Sequence, residues 1–291
     1  VTLAPERWPA FLPPEAASGR RGRGVLVVWR WELAKLAGQV RVRAAAALCA
    51  LAPFLFAAAV RVQSAVPADT LFGQWLHESG FALPMVVLGF AGQWALPLLT
   101  SIVAGDIFSA EDHFGTWKTV LTRSRSRGEI FAGKLLAALT YTVAAVALLS
   151  AASLGAGLLL GTEPVVGLSG QLVPAGHAAA LVLASWATQL PPVLGFAALA
   201  VLLSVATRNS AVGMGGPLLI GLVMQLSTLI NMPETVRAAL LATPFVAWHG
   251  LWVQAPFYGP LRQGLVTSAA WFAVCAVGAW AIFRRRSMAA A

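Results

Sequence analysis

Polar residues along this chain gather into short clusters, and between them run long stretches with no Asp, Glu, Lys or Arg at all. These stretches are residues 44–60, 79–105, 135–162, 164–207, 209–233, 238–261 and 263–283. A helix of about 20 apolar residues crosses a bilayer, and a charge held at the bilayer centre costs at least about 2.5 to 3.5 kcal/mol. The charge-free stretches therefore predict the spans. The longest, 164–207, opens with Gly167, Ser169, Gly170, Gln171, Pro174 and Gly176, which predicts a loop before one helix starting near His177. In 238–261, Pro244, His249, Gly250, Pro256, Gly259 and Pro260 break the pattern, and Trp248 to Phe257 are rich in aromatics. That stretch reads as short interfacial or re-entrant pieces, so six spans remain.

Ahead of the first span, residues 25–43 are amphipathic. Leu26, Trp29, Leu33, Leu36 and Val40 fall on one helical stripe, while Glu32, Lys35, Gln39 and Arg43 lie together elsewhere. This predicts an in-plane helix on the membrane surface. The expected fold class is all-α integral membrane, with six transmembrane helices, the N-terminal in-plane helix and a short helix in the loop after span two. The expected organisation is a tail over 1–24, the interfacial helix over 25–43, the six-helix domain over 44–283, and a tail over 284–291. Within the domain lie the loop 106–134 and the outer segment 238–261.

Composition agrees. Hydrophobic residues make up 58% and charged residues 11% of the chain, and mean hydropathy is +0.77, which excludes a soluble domain and a disordered chain. Cys49 and Cys275 sit inside apolar runs, so no disulfide framework is expected. The net charge of +9 flanks hydrophobic segments and predicts the anionic inner leaflet as its partner, not nucleic acid. With both termini inside, 17 of the 20 basic residues fall on the cytoplasmic side, leaving Arg61, Arg237 and Arg262 outside. A seventh span would place Arg284, Arg285 and Arg286 opposite the other basic clusters, and a cleavable signal is not expected at the N-terminus.

Catalytic chemistry is hard to place. His77, His113, His177 and His249 are scattered over different segments, and no carboxylate is expected at membrane depth. Residues Gly128 to Lys134 match half of a phosphate-binding loop, but Leu135 stands where a Mg²⁺-binding Ser or Thr is required, and no strand precedes it. The chain is therefore not expected to be an enzyme or to hold a metal or cofactor. Gln93, Thr100, Ser185, Thr188, Gln189, Ser204, Gln225, Ser227 and Thr228 suit interhelical hydrogen bonds or a neutral, amphiphilic cargo path.

The segment between spans two and three is the longest polar stretch of the membrane domain. There Ser109 is placed to cap a short helix with Glu111 and Asp112 in its first turn, Gly115 allows close approach, and Phe114, Trp117 and Leu121 recur at helical spacing. The order Glu111, Gly115-Thr116, Leu121, Arg127 and Gly133-Lys134 resembles the first intracellular loop of ABC-2 type transporter permeases. In that loop the proline that commonly precedes the arginine is replaced here by the Arg-Ser repeat ending at Arg127, and residues Phe196 to Ser210 resemble the inner end of that family's fourth span.

The resemblance implies the membrane-spanning permease subunit of a bacterial ABC exporter. Its partners would be a separate ABC ATPase carrying ATP and Mg²⁺, a second permease, and membrane lipid. Glu111, Gly115, Thr116, Trp117 and Leu121 would then contact or shape the ATPase interface, and Arg123, Arg125 and Arg127 would anchor on lipid or on the ATPase. At the outer side, Trp248, His249, Trp252, Phe257 and Tyr258 would form the exit region. The expected location is a bacterial plasma membrane with N- and C-termini cytoplasmic. A membrane-embedded enzyme or cofactor-binding subunit, or a non-transporting scaffold, is the alternative.

Overall fold

Each charge-free stretch except 238–261 becomes a membrane-length helix. The computed structural model describes residues 18–63, 70–117, 125–228 and 230–286. Among them are six helices long and apolar enough to span: Val40–Val62, Ala82–Ala104, Arg127–Leu160, Ala175–Thr207, Ser210–Ser227 and Gly259–Arg285. The second and fourth are the most buried, at 56% and 61% of their most apolar windows, against 17% each for the fifth and sixth. Spans two and four thus form the centre of the bundle. The stretch 238–261 holds only the end of the short helix Glu234–Ala239 and then a 3-10 helix, Thr243–Leu251, as its prolines require.

With six crossings, the N-terminal helix, the loop after span two, the loop after span four and the C-terminal arginines share one end, which we call the basic end. Helix Ser18–Gly38 stops where Gln39 adopts extended backbone, and packs on the third span. Its buried face is Val28, Glu32 and Leu36, while Leu26 and Trp31 are exposed. The expected division of the helix into a lipid stripe and a separate polar face is therefore altered, because Glu32 is drawn into the protein by a buried lysine.

The third span starts eight residues before its charge-free stretch, so part of the expected loop 106–134 is helix. A reciprocal capping box starts it: Glu129 N donates to Ser126 Oγ at 3.2 Å and Ser126 N to Glu129 Oε2 at 2.9 Å. Its 34 residues rise about 50 Å, well beyond a hydrocarbon core about 30 Å thick.

Two spans are interrupted. A turn of π-helix, Ala91–Ala95, divides the second, and the fourth breaks at Thr188 and Gln189, just before Pro191 and Pro192. Gln189 Nε2 donates to the Phe245 carbonyl at 3.3 Å there. Spans four and five are joined only through Arg208, in left-handed backbone at φ 57°, and Asn209, whose side chain accepts from Ala211 N at 2.8 Å.

At the far end, strands Val165–Val166 and Leu172–Val173 form a small antiparallel hairpin. It is stitched to the outer segment by Leu168 N and Gln171 Nε2, which donate to the Trp252 carbonyl at 2.8 and 2.9 Å.

Candidate functional site

The chain leaves span two at Gly105, turns through Asp106 to Phe108, and forms the short helix Ser109–His113. Phe108 precedes that helix with no side-chain cap, so Ser109 is its first residue and not the expected cap. The Ser109 hydroxyl points instead into the bundle. It donates to the Gly105 carbonyl at 3.1 Å and lies 2.9 Å from Ser210 Oγ and 3.2 Å from Ser204 Oγ, while Ser109 N donates to Ser204 Oγ at 3.1 Å. Beside this hydroxyl cluster the backbones of Gly105 and Gly213 meet so closely that a Cβ at either would overlap the other. Spans four and five are thereby packed directly on the segment.

The three acidic residues of the segment reach three different parts of the bundle. Asp106 pairs with Arg41 at the start of span one. Asp112 accepts from Arg286, just past span six, at 2.8 Å. Glu111 accepts from Lys35 of the N-terminal helix at 2.6 Å and from Lys134 of span three at 3.0 Å. Lys134 is fully buried and also donates to Glu32 Oε1 at 2.8 Å and to the Ile107 carbonyl at 3.0 Å. Its ammonium lies 5.9 Å from the ring centres of both Phe108 and Trp117. A buried ammonium is tolerable only with such paired, hydrogen-bonded partners.

Burial by itself would push the Glu111 carboxyl up. Lys134, the bond from Lys35 and the Thr116 hydroxyl outweigh it and hold the group down at about 2. Burial would likewise lower Lys35, but Glu32 and the bond to Glu111 raise it.

Gly115 takes left-handed backbone at φ 62° and ends the short helix, so Phe114 and Trp117 do not share the expected stripe. Phe114 is 74% exposed, with His113 against its ring, whereas Trp117 is 2% exposed and packs on Phe108 and Phe283. Of the expected interface residues, Glu111 and Trp117 are therefore internal and Thr116 is half-buried. Leu121 and Arg123 lie outside the described residues. Arg125 is half-buried, and Arg127 donates to the carbonyls of Arg284 and Arg286 at 3.0 and 2.7 Å, satisfying the end of span six.

The expected exit residues lie at the other end of the bundle. Trp248 and Trp252 are buried against Phe72, and Trp252 Nε1 donates to Ser185 Oγ at 2.9 Å. His249 is half-buried, and Phe257 and Tyr258 are exposed. Among the described residues no group of three or more His, Cys, Asp or Glu could hold a metal ion.

Sequence reasoning missed Glu32, Lys35 and Lys134 as one charge cluster. The available signal was one glutamate and two lysines on helices that must pack together, Lys134 at the edge of an apolar span, where an unpaired charge would be costly.

No curated protein matches the chain. The family model described as ABC-2 family transporter protein matches residues 30–225, more than half of the chain's 291 residues. That range runs from the N-terminal helix through the charge-paired segment to the fifth span, and this multi-pass membrane chain belongs to the ABC-2 type permeases.

Proposed function

We propose that this permease is the membrane-spanning subunit of an ATP-driven exporter, working beside a second permease and driven by a separate ABC ATPase that carries ATP and Mg²⁺. In this reading the basic end faces the cytoplasm of a bacterial plasma membrane. Segment 105–117 is the coupling element, and its exposed tip, His113, Phe114 and Gly115, docks on the ATPase. Cargo leaves near Trp248, His249, Trp252, Phe257 and Tyr258.

The observation that carries this reading is the reach of the segment. Through Asp106, Glu111, Asp112 and Ser109 it touches the N-terminal helix and spans one, three, four and five, together with the chain end that follows span six. A push on the tip is therefore delivered to most of the bundle, and an exposed aromatic at the tip suits a protein contact. Glu111 and Trp117 shape the segment from within, Arg127 braces its exit, and Arg125 anchors on lipid or on the ATPase.

The deciding experiment is copurification with an ABC ATPase followed by cargo-stimulated ATP hydrolysis. Phe114→Ala should weaken both while the permease stays folded, and Gly115→Trp, which also strains the left-handed turn, should lose both. Wild-type association and hydrolysis by both variants would refute the docking assignment.

A further inference from the structure

The π turn Ala91–Ala95 interrupts the α-helical stretches Ala82–Phe90 and Leu96–Ala104 of the second span. Such a turn inserts an extra residue, re-aims the side chains that follow, and often marks a functional position. Gln93 and Trp94 occupy it here; two of the cavities beside it share Trp94 as a wall, and Gln93 faces the smaller of these two.

The larger cavity, about 640 Å³, lies between spans one, two and three; its walls are aliphatic and aromatic side chains and the Cys49 thiol, with Pro53, Val87 and Leu99 among them. The smaller, about 330 Å³, lies toward the far end and brings Thr70, Gln93 and His249 beside Phe72 and Trp248. Val86, Phe90 and Trp94 line both. Leu48, Phe90 and Trp94 are exposed, so the larger cavity opens to the side of the bundle.

We propose that the two cavities form one binding site for a neutral single-chain amphiphile, with its hydrocarbon chain in the larger cavity and a hydrogen-bonding head group at Gln93, Thr70 and His249. The chain is assigned by the wholly apolar walls. A head group is required because the adjoining space carries amide, hydroxyl and imidazole groups. Gln225 Nε2 donates to Gln93 Oε1 at 2.9 Å, leaving the Gln93 amide N–H₂ without a partner among the described residues. Neutrality follows because, among the described residues, no Asp, Glu, Lys or Arg lines either cavity, and an unpaired charge there would be expensive. Burial pushes the His249 imidazole down, so it too is neutral at pH 7. Both volumes fall in the range of small-molecule sites.

The proposal deepens the export reading by naming a cargo class, but binding needs no ATPase and is tested without one. The purified chain in phosphatidylcholine nanodiscs is photolabelled with hexadecanol carrying a mid-chain diazirine, and the labelled peptides are mapped. Labelling should concentrate on the peptides around Cys49 to Phe56 and Val86 to Leu99, saturate, and be competed by plain hexadecanol. Ala52→Phe and Val87→Phe, which fill the larger cavity from two different spans, should abolish it.

Gln93→Leu, which fills nothing, should weaken hexadecanol binding about fivefold, as expected for one lost hydrogen bond. It should leave labelling by the corresponding diazirine hydrocarbon unchanged. This comparison decides the head-group site even if both filled variants misfold. Labelling that rises linearly with probe, or equal competition by hexadecanoate or a hexadecyl ammonium, would overturn the proposal. Saturable, Gln93-dependent binding by a chain that recruits no ATPase would uphold this site and remove only the export reading.

Discussion

Lys134 and Glu32, separated by 102 positions in the sequence, meet at 2.8 Å inside the basic end of the bundle. Glu111 completes the pair from a third element, 3.0 Å from the same ammonium. Removing one member of such a buried set leaves the rest uncompensated, which is costlier than never having built it.

Lys134→Met should therefore destabilise the protein by about 3 to 5 kcal/mol, because two carboxylates lose their shared partner. Thermal unfolding in detergent measures the loss. Adding Glu32→Gln to Lys134→Met should restore part of it. A Lys134→Met protein as stable as wild type would show that the cluster contributes nothing.

Acid should act through Glu111. Its folded carboxyl lies near 2, below the unfolded value of about 4.3. The sign is that of a depressed acid: the stabilisation is fully present above the unfolded value and disappears as pH falls from there through about 2. Thermal stability followed across that window should fall more steeply in wild type than in Glu111→Gln.

The glycine contact offers a matched pair. Gly213→Ala places a methyl into the Gly105 backbone, whereas the same change at Gly215 enters open space. Gly213→Ala should lower thermal stability and disturb ATPase coupling, and Gly215→Ala should do neither. Equal behaviour would mean that span five does not bear on the segment.

Phe114 and Trp117 should separate docking from folding. Phe114→Ala removes an exposed ring and should weaken ATPase association with little change in stability. Trp117→Ala empties a buried site and should cost about 3 to 5 kcal/mol of stability. Thermal unfolding and copurification, measured side by side, distinguish the two.

Orientation is open to direct chemistry, since Cys49 and Cys275 are buried. In intact cells an impermeant thiol reagent should modify Ser169→Cys and spare His113→Cys. The opposite pattern would overturn the cytoplasmic placement of the basic end and with it the ATPase docking proposed above.

The span count was legible because charge is so sparse that its gaps outline the helices. The same logic misplaced the start of span three. It treats every lysine as belonging to water, and Lys134 is neutralised by glutamates from two other segments. Glu32 misled in the same way: helical spacing gives its angular position on the N-terminal helix but not what stands opposite. The segment after span two was recognisable from Glu111 and Gly115-Thr116. Which of its aromatics faces outward depended on the left-handed turn at Gly115, and a helical stripe drawn through Phe114 and Trp117 has no means of showing that turn. The π turn in span two left no comparable mark, since Ala91 to Ala95 read as ordinary apolar helix.

Arg208 and Asn209 are all that separates span four from span five. Two residues can reach only about 7 Å when fully extended, so this junction has no slack. The two helices cannot slide past each other by a helical turn, about 5.4 Å, without unwinding Asn209 from its cap. They must swing as a single hairpin, with Ser204 and Ser210 at its bend. A few flexible residues inserted after Arg208 would act as a clutch, leaving both helices in the membrane while letting one turn without the other.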